Sequence, residues 1–270
     1  MLNNSTLTKA KEPDVILYTE KLEVDFDGFK AIKDVNFRLK AGELRFLIGP
    51  NGAGKTTLLD VICGKVKPHK GKVIFKEQID ISKHQEHQIA QMGIGRSFQA
   101  PSIFVNLSVL ENLLLSMKQK RGLYATLLAK TDNAQRERVF HYSEMIGLTP
   151  KAKEKAGALS HGEKQWLEIG MLLMQEPELL LLDEPAAGMT EHETEKTGEL
   201  LHKISNKQSV IVVEHDMEFV RQFAKTVTVM HEGTILREGT MEEIQNDDKV
   251  TEVYLGRRVG GGSACLKSSI

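Results

Sequence analysis

The residues Gly49, Pro50, Asn51, Gly52, Ala53, Gly54, Lys55, Thr56 and Thr57 follow the pattern G-x-x-x-x-G-K-T. The chemistry that pattern supports is the gripping of phosphate. Glycine tolerates the tight turns that aim consecutive backbone N–H groups at phosphate oxygens. A helix starting at the end of the loop adds donors and a partial positive charge. In that cradle Lys55 reaches the β- and γ-phosphates of a nucleoside triphosphate, and the Thr56 hydroxyl ligates Mg²⁺. The plain alternative is a glycine-rich turn with a solvated lysine. The flanks argue against it, because the apolar run Leu44 to Ile48 precedes the loop and Leu58 to Cys63 follows it. That is the strand, turn, helix order a phosphate loop requires.

Other residues have types and positions that complete such chemistry. The apolar run Leu179 to Leu182 ends in Asp183-Glu184-Pro185. A buried strand delivers these carboxylates to the carboxyl edge of a sheet, beside the loop. There Asp183 holds Mg²⁺, and Glu184 polarises a water for in-line attack on a γ-phosphate. An acidic pair after a strand is often only a turn; the phosphate loop upstream favours the catalytic reading. His215 follows Val210 to Val213 within Glu214-His215-Asp216, placed to contact a γ-phosphate. Gln99 follows Ile94 to Phe98, placed to bind Mg²⁺ and the attacking water. A lone His or Gln after a strand is more often a satisfied polar residue, so both depend on the wider pattern. Leu159-Ser160-His161-Gly162-Glu163 precedes a helical pattern, with Ser160 and Glu163 at capping-box spacing. A hydroxyl and a glycine N–H at a helix N-terminus also form an anion site, and the two readings are compatible.

These residues need a scaffold. Val15 to Leu22 and Ile32 to Leu39 read as early strands around a turn at Asp27-Gly28. Arg45 to Ile48 is a buried strand feeding the loop, and Lys72 to Phe75 another short strand. Ile81 to Met92 reads as a helix ending near Gly93, and Ile94 to Phe98 as a strand. From Gln99 to Ala158 the pattern turns helical, with apolar spacing over Leu110 to Lys118 and Gln135 to Ile146. Helices follow over Glu163 to Met174, Glu191 to Ile204 and Met217 to Ala224. Buried strands run over Leu179 to Leu182 and Val210 to Val213. Thr226 to Met230 and Thr234 to Arg237 form a hairpin, and Met241 to Leu255 closes the fold as mixed helix. Strands alternating with helices predict an α/β fold with a largely parallel sheet.

The 270 residues carry a formal net charge of -1, so no global field recruits nucleic acid or an anionic bilayer, and no nucleic-acid partner is expected. The two cysteines, Cys63 and Cys265, offer neither a disulfide framework nor a metal-ligand spacing. No apolar run approaches the ~18 residues of a membrane helix, and Met1 to Glu12 lacks the apolar core of a signal peptide. Residues 1–13 and 259–270 read as flexible tails around a single domain over 14–258, with a helical subdomain inserted at about 100–165.

In this order the motifs resemble the ATP-binding subunits of ABC transporters, over about Val15 to Gly256. The resemblance rests on the phosphate loop at Gly49 to Thr57, Gln99, the signature Leu159 to Glu163, Asp183-Glu184 and His215. It implies a P-loop NTPase (RecA-like) core, an N-terminal antiparallel β-subdomain and an inserted α-helical subdomain. It implies hydrolysis of ATP with Mg²⁺. It also implies a head-to-tail dimer, with itself or with a paralogous ATPase subunit, in which the loop of one copy and the signature of the other enclose each ATP. Ser160, His161, Gly162 and Glu163 would supply that second half, and Phe26, with Phe29 as runner-up, would stack on adenine. The partners implied are transmembrane permease subunits and, indirectly, a periplasmic or extracellular solute-binding protein. The place implied is the cytoplasmic face of the membrane, peripherally attached. Ile103, Phe104, Leu107 and Val109 are candidates for the groove that receives a permease helix, or for the core of the insertion.

The family signature usually reads L-S-G-G-Q, but His161 and Glu163 stand here instead of Gly and Gln. The segment after Pro185 usually reads S-A-L-D, but here it is Ala187-Gly188-Met189-Thr190. These departures, the run Pro185 to Met189 and the end Glu252 to Gly256 look like the importers of branched-chain amino acids and amides. The stretch Leu159 to Gly170 looks most like the urea-transport ATP-binding subunits of that branch. The reading is therefore an importer motor for urea or short amides. The alternatives are a branched-chain amino acid importer ATPase, or an ABC ATPase outside transport.

Overall fold

The computed structural model describes residues 14–97, 102–117 and 133–255. Gln99, the ends of the expected elements at Phe98 and Lys118, and both expected tails lie outside the described residues. The strands are β1 (Val15–Phe26), β2 (Phe29–Val35), β3 (Arg38–Lys40), β4 (Leu44–Ile48), β5 (Lys70–Phe75), β6 (Ile79–Asp80), β7 (Ile94–Arg96), β8 (Leu179–Asp183), β9 (Ser209–Val213), β10 (Thr226–His231) and β11 (Thr234–Gly239). The helices are α1 (Lys55–Ile62), α2 (Glu86–Met92), α3 (Val109–Ser116), α4 (Asn133–Met145), α5 (His161–Leu173), α6 (Glu191–Ser205), α7 (Met217–Phe223), α8 (Met241–Gln245) and α9 (Asp248–Leu255).

Two sheets result. One is antiparallel in the order β2-β1-β5-β6, with β3 also pairing β1. The other runs β11-β10-β4-β9-β8-β7; it is parallel from β10 to β7 and antiparallel only at β11. The central strands β4, β8 and β9 are buried along their whole length, as expected of parallel strands covered on both faces. Strand alternation divides their side chains between two cores. Leu179, Leu181, Ile211 and Val213 pack with α1 and the antiparallel sheet. Leu180, Leu182, Val210 and Val212 pack with α5 and α6 on the other face.

The structure departs from the expected elements in identifiable ways. The single strand expected over Ile32 to Leu39 is two strands, β2 and β3, both on β1. Asp34 at φ +49° breaks the extended run, and the Asn36 side chain spans the break, accepting from Lys21 N–H and donating to the Asp34 carbonyl. The helix expected over Ile81 to Met92 is a 3₁₀ turn at Ile81–Lys83 and then α2, because His84 is extended and Lys67 caps the carbonyls of Ser82 and His84. The last segment is two helices, divided where the Asp247 carboxylate accepts from the N–H groups of Lys249 and Val250.

Candidate active site

β4 ends at Ile48, and the loop that follows is pinned by its neighbours. A Cβ at Gly49 would lie 2.2 Å from the Met230 carbonyl oxygen, and one at Gly54 would lie 2.7 Å from that of Ala31. Both glycines have positive φ, so no side chain fits there. Gly233 ties three segments together: its N–H donates to Ala53 O at 3.0 Å and its carbonyl accepts from Lys33 N–H at 2.7 Å. Lys55 opens α1 and is buried, with Nζ donating to the carbonyls of Gly49 and Pro50 at 2.7 and 3.2 Å. Burial pushes its pKa down, while the nearby carboxylates of Glu184 and Asp183 hold the charge in place.

β8 carries Asp183 to the same edge. Its N–H donates to Ser97 Oγ at 3.2 Å, and its Oδ2 is buried with no hydrogen-bond partner among the described residues. Arg96 Nη2 lies 3.8 Å from that oxygen, beyond hydrogen-bonding range. Burial raises the Asp183 pKa, and Arg96 opposes the rise. Asp183 and Thr56 line one cavity of about 380 Å³, together with Arg96 and Ser97. An orphaned carboxylate oxygen sharing a cavity with a hydroxyl is a donor set that fits Mg²⁺, which takes one or two protein oxygens and completes its shell with water and phosphate.

Glu184 sits in the left-handed region at φ +51°, an uncommon conformation for a side-chain-bearing residue and one often kept at functional sites. Its N–H donates to Val213 O at 2.9 Å and its carbonyl accepts from Ala187 N–H. The result is that Glu184 Oε1 lies 3.3 Å from His215 Nδ1, with both side chains open to solvent. The two residues, far apart in sequence, are thus brought together by the pairing of β8 and β9.

The signature group lies at the start of α5. Ser160 is its N-cap, with a complete capping box to Glu163. The Glu163 carboxylate is turned to the Ser160 N–H at 3.0 Å and to Lys151 at 2.7 Å. His161 Nε2 is 3.1 Å from Ala187 O, in the turn that follows Glu184. Thr190, where the family pattern has aspartate, is the N-cap of α6. Phe26 and Phe29 face each other across the end of the β1–β2 pair and are 47% and 65% exposed, so neither is a core ring. Of the groove candidates, Phe104 is exposed. Val109 is fully buried and Ile103 packs on the core, so these two belong to the packing of the helical segment.

Sequence reasoning gave no role to Arg96, Glu214 or Glu193. Arg96 pairs with Asp60 and approaches Asp183. Glu214 is 1% exposed. Its carboxylate accepts from the N–H groups of Ala186 and His215, each at 3.2 Å, and burial raises its pKa to about 7. The signal for both was a charged residue beside an apolar run destined for a two-sided core.

Residues 32–187 match the model of a family described as "ABC transporter". The chain belongs to the ABC transporter family. Among relatives, it is 37% identical over 251 residues to the high-affinity branched-chain amino acid transport ATP-binding protein LivG of Escherichia coli K12, with 89% of this chain and 98% of that protein covered. It is 34% identical to BraF of Pseudomonas aeruginosa, which carries the same description, with 89% and 98% covered. Among solved structures it is similar to the ADP conformation of an ATP-binding cassette of an ABC transporter, at TM-score 0.78 and 32% identity, with 90% and 99% covered. It is also similar to a dimeric bacterial ABC transporter cassette, at TM-score 0.71 and 26% identity, with 84% and 99% covered. The two-sheet architecture is that of an ABC ATPase, and the chain is an ATPase of this family.

Proposed function

We propose that this chain is the ATP-hydrolysing motor of an importer for branched-chain amino acids. The substrate class is supported by the relatives, whose names specify branched-chain amino acid transport over 98% of their own length. The urea or amide reading drew on the single stretch Leu159 to Gly170, and these relatives favour the branched-chain alternative over it.

The observation that carries the motor role is the convergence of Lys55, Asp183, Glu184 and His215 at the edge of the parallel sheet. The loop N–H groups and Lys55 would grip the β- and γ-phosphates of ATP, with Lys55 giving up its bonds to Gly49 and Pro50 to do so. Thr56, Asp183 and Gln99 would hold Mg²⁺, whose charge offsets that of the phosphates. Glu184 would accept the proton of the attacking water, and His215 would hold the Glu184 carboxylate and contact the γ-phosphate. Phe26 would stack on adenine. Ser160, His161, Gly162 and Glu163 would face the nucleotide of a head-to-tail partner, a reading supported by the dimeric cassette. Permease subunits, a solute-binding protein and the cytoplasmic membrane face complete the proposal. No described helix is long and apolar enough to cross a membrane, so the translocation path would belong to other chains.

The test is reconstitution with the permeases in proteoliposomes. ATP-driven uptake of leucine, isoleucine or valine is the expected result. Uptake of urea with no uptake of these amino acids would overturn the substrate reading and leave the motor role standing.

A further inference from the structure

Ser160 has one hydroxyl proton to donate, and within this subunit it goes to Glu193. Ser160 Oγ donates to Glu193 Oε1 at 2.8 Å, while the same oxygen accepts from Glu163 N–H at 3.2 Å. The other Glu193 oxygen, Oε2, accepts from the N–H and the hydroxyl of Thr190 at 3.1 and 3.0 Å. One carboxylate thus joins the caps of α5 and α6. The close approach depends on a glycine, since a Cβ at Gly162 would lie 2.7 Å from the Glu193 carboxyl carbon. Beside it, His161 Nε2 lies against Ala187 O, so a second bond ties the signature to the turn after Glu184. The Thr190 N–H and the Ser160 hydroxyl hold the Glu193 carboxyl below its usual range, so the group stays charged. A phosphate oxygen, like a carboxylate oxygen, accepts hydrogen bonds, so both compete for the single Ser160 proton. Their like charges also repel at short range.

We propose that Glu193 is a positioning residue that holds the Ser160 hydroxyl proton inside its own subunit, so that a γ-phosphate presented by the partner must displace it. This rests on the reading of Ser160 as a donor across the dimer. Closure then requires an exchange of acceptors, Glu193 for phosphate, which sets the ATP concentration at which the dimer closes. The exchange loosens the start of α5 from the start of α6, and α6 leads back through Ala187 to Glu184. The departure at Thr190 fits this device, because the Thr190 hydroxyl and N–H orient the carboxylate that holds Ser160.

The experiment measures ATPase rate against ATP concentration for the full chain assembled with its permeases. Whether this chain pairs with itself or with a paralogue, its Ser160 faces one nucleotide. Glu193→Gln keeps a carbonyl oxygen for Thr190 but removes the charge, and half-saturating ATP is expected to fall about five-fold, the scale of the difference between a charge-assisted and a neutral hydrogen bond. Glu193→Asp shortens the reach to Ser160 and is expected to shift it the same way by less. In a Ser160→Ala background the Glu193→Gln shift is expected to vanish, because the two residues act through one bond. Thr190→Ala, which removes one of the two Thr190 bonds that orient the Glu193 carboxylate, is expected to lower Tm and to lower half-saturating ATP by less than Glu193→Gln does. An unchanged or raised half-saturation in both Glu193 variants overturns the proposal. So does an equal shift with Ser160 already removed. If Ser160→Ala alone behaves as wild type, the assignment of Ser160 across the dimer fails first, and the role of Glu193 falls with it.

Discussion

Lys55, Glu184 and Glu214 show how burial sets what each group can do. Lys55 is buried against its own loop and satisfied there by two carbonyls, so on the proposed reading its charge is pre-placed for phosphate. Lys55→Ala is expected to weaken ATP binding at least tenfold, on the scale of about 1.5–3 kcal/mol for a hydrogen bond to a charged group. Titration with a fluorescent ATP analogue checks it, and unchanged affinity would contradict the phosphate-loop assignment. Glu214 offers a pH prediction. Burial raises its pKa from 4.5 to about 7, so the folded chain binds a proton there more tightly than the unfolded chain does. Its contribution is therefore most favourable below about pH 4.5 and is lost as pH rises towards 7. Glu214→Gln removes the titration, so the stability of the variant relative to wild type is expected to improve across that window. The full shift corresponds to about 3 kcal/mol as an upper figure. Denaturant unfolding of both proteins at pH 5 and pH 8 reads the difference, and a gap that does not change with pH would exclude Glu214 as the linked group.

At the scale of elements, the sequence showed what periodicity and apolar runs encode. The buried strands β4, β8 and β9, the helix α5 and the β10–β11 hairpin stand close to where their patterns put them, since each is a clean apolar run between turn residues. The division at Asp34 to Asn36 was not legible, because it follows from the left-handed Asp34 and from the bond of the Asn36 side chain to distant Lys21. Nor was the burial of Val109, which depends on the tertiary face α3 presents. In the candidate site, the positions of the glycine-rich loop and the acidic pair were legible because each is a run of consecutive residues after an apolar strand. The Glu193 link between two caps was not, because it joins residues far apart in sequence. The same distinction separates two glycines of the loop. Gly49 abuts the Met230 carbonyl, whereas a Cβ at Gly52 would meet open space. Gly52→Ala pays only for its left-handed backbone, about 1–2 kcal/mol. Gly49→Ala must also displace β10 and is expected to cost 1–3 kcal/mol more, by analogy with overpacking of a filled core. Thermal unfolding should rank Tm as wild type, then Gly52→Ala, then Gly49→Ala; equal losses would mean that β10 does not confine the loop.

For the whole molecule, the decisive question is whether one chain holds a complete site. Lys55, Asp183, Glu184 and His215 converge at one sheet edge, while Ser160 is spent on Glu193 within its own subunit. On the proposed reading the second wall of each site comes from another subunit, and ATP then acts as a ligand of the dimer that shifts association by mass action. Glu184→Gln keeps every group proposed to grip phosphate and removes the proposed base, so it is expected to bind ATP normally and to cut hydrolysis by at least ~100-fold. With hydrolysis stalled, the closed state accumulates, and gel filtration of this variant with ATP and Mg²⁺ should show a dimer absent without nucleotide. Adding Ser160→Ala should return it to monomer while ATP affinity measured on the monomer stays the same, because the two substitutions lie on opposite walls. If the Glu184→Gln chain remains monomeric alone and dimerises only with a paralogous ATPase subunit, the partner is that subunit. Turnover at the wild-type rate by Glu184→Gln would remove the base role from Glu184, and with it the reason for its strained position beside His215.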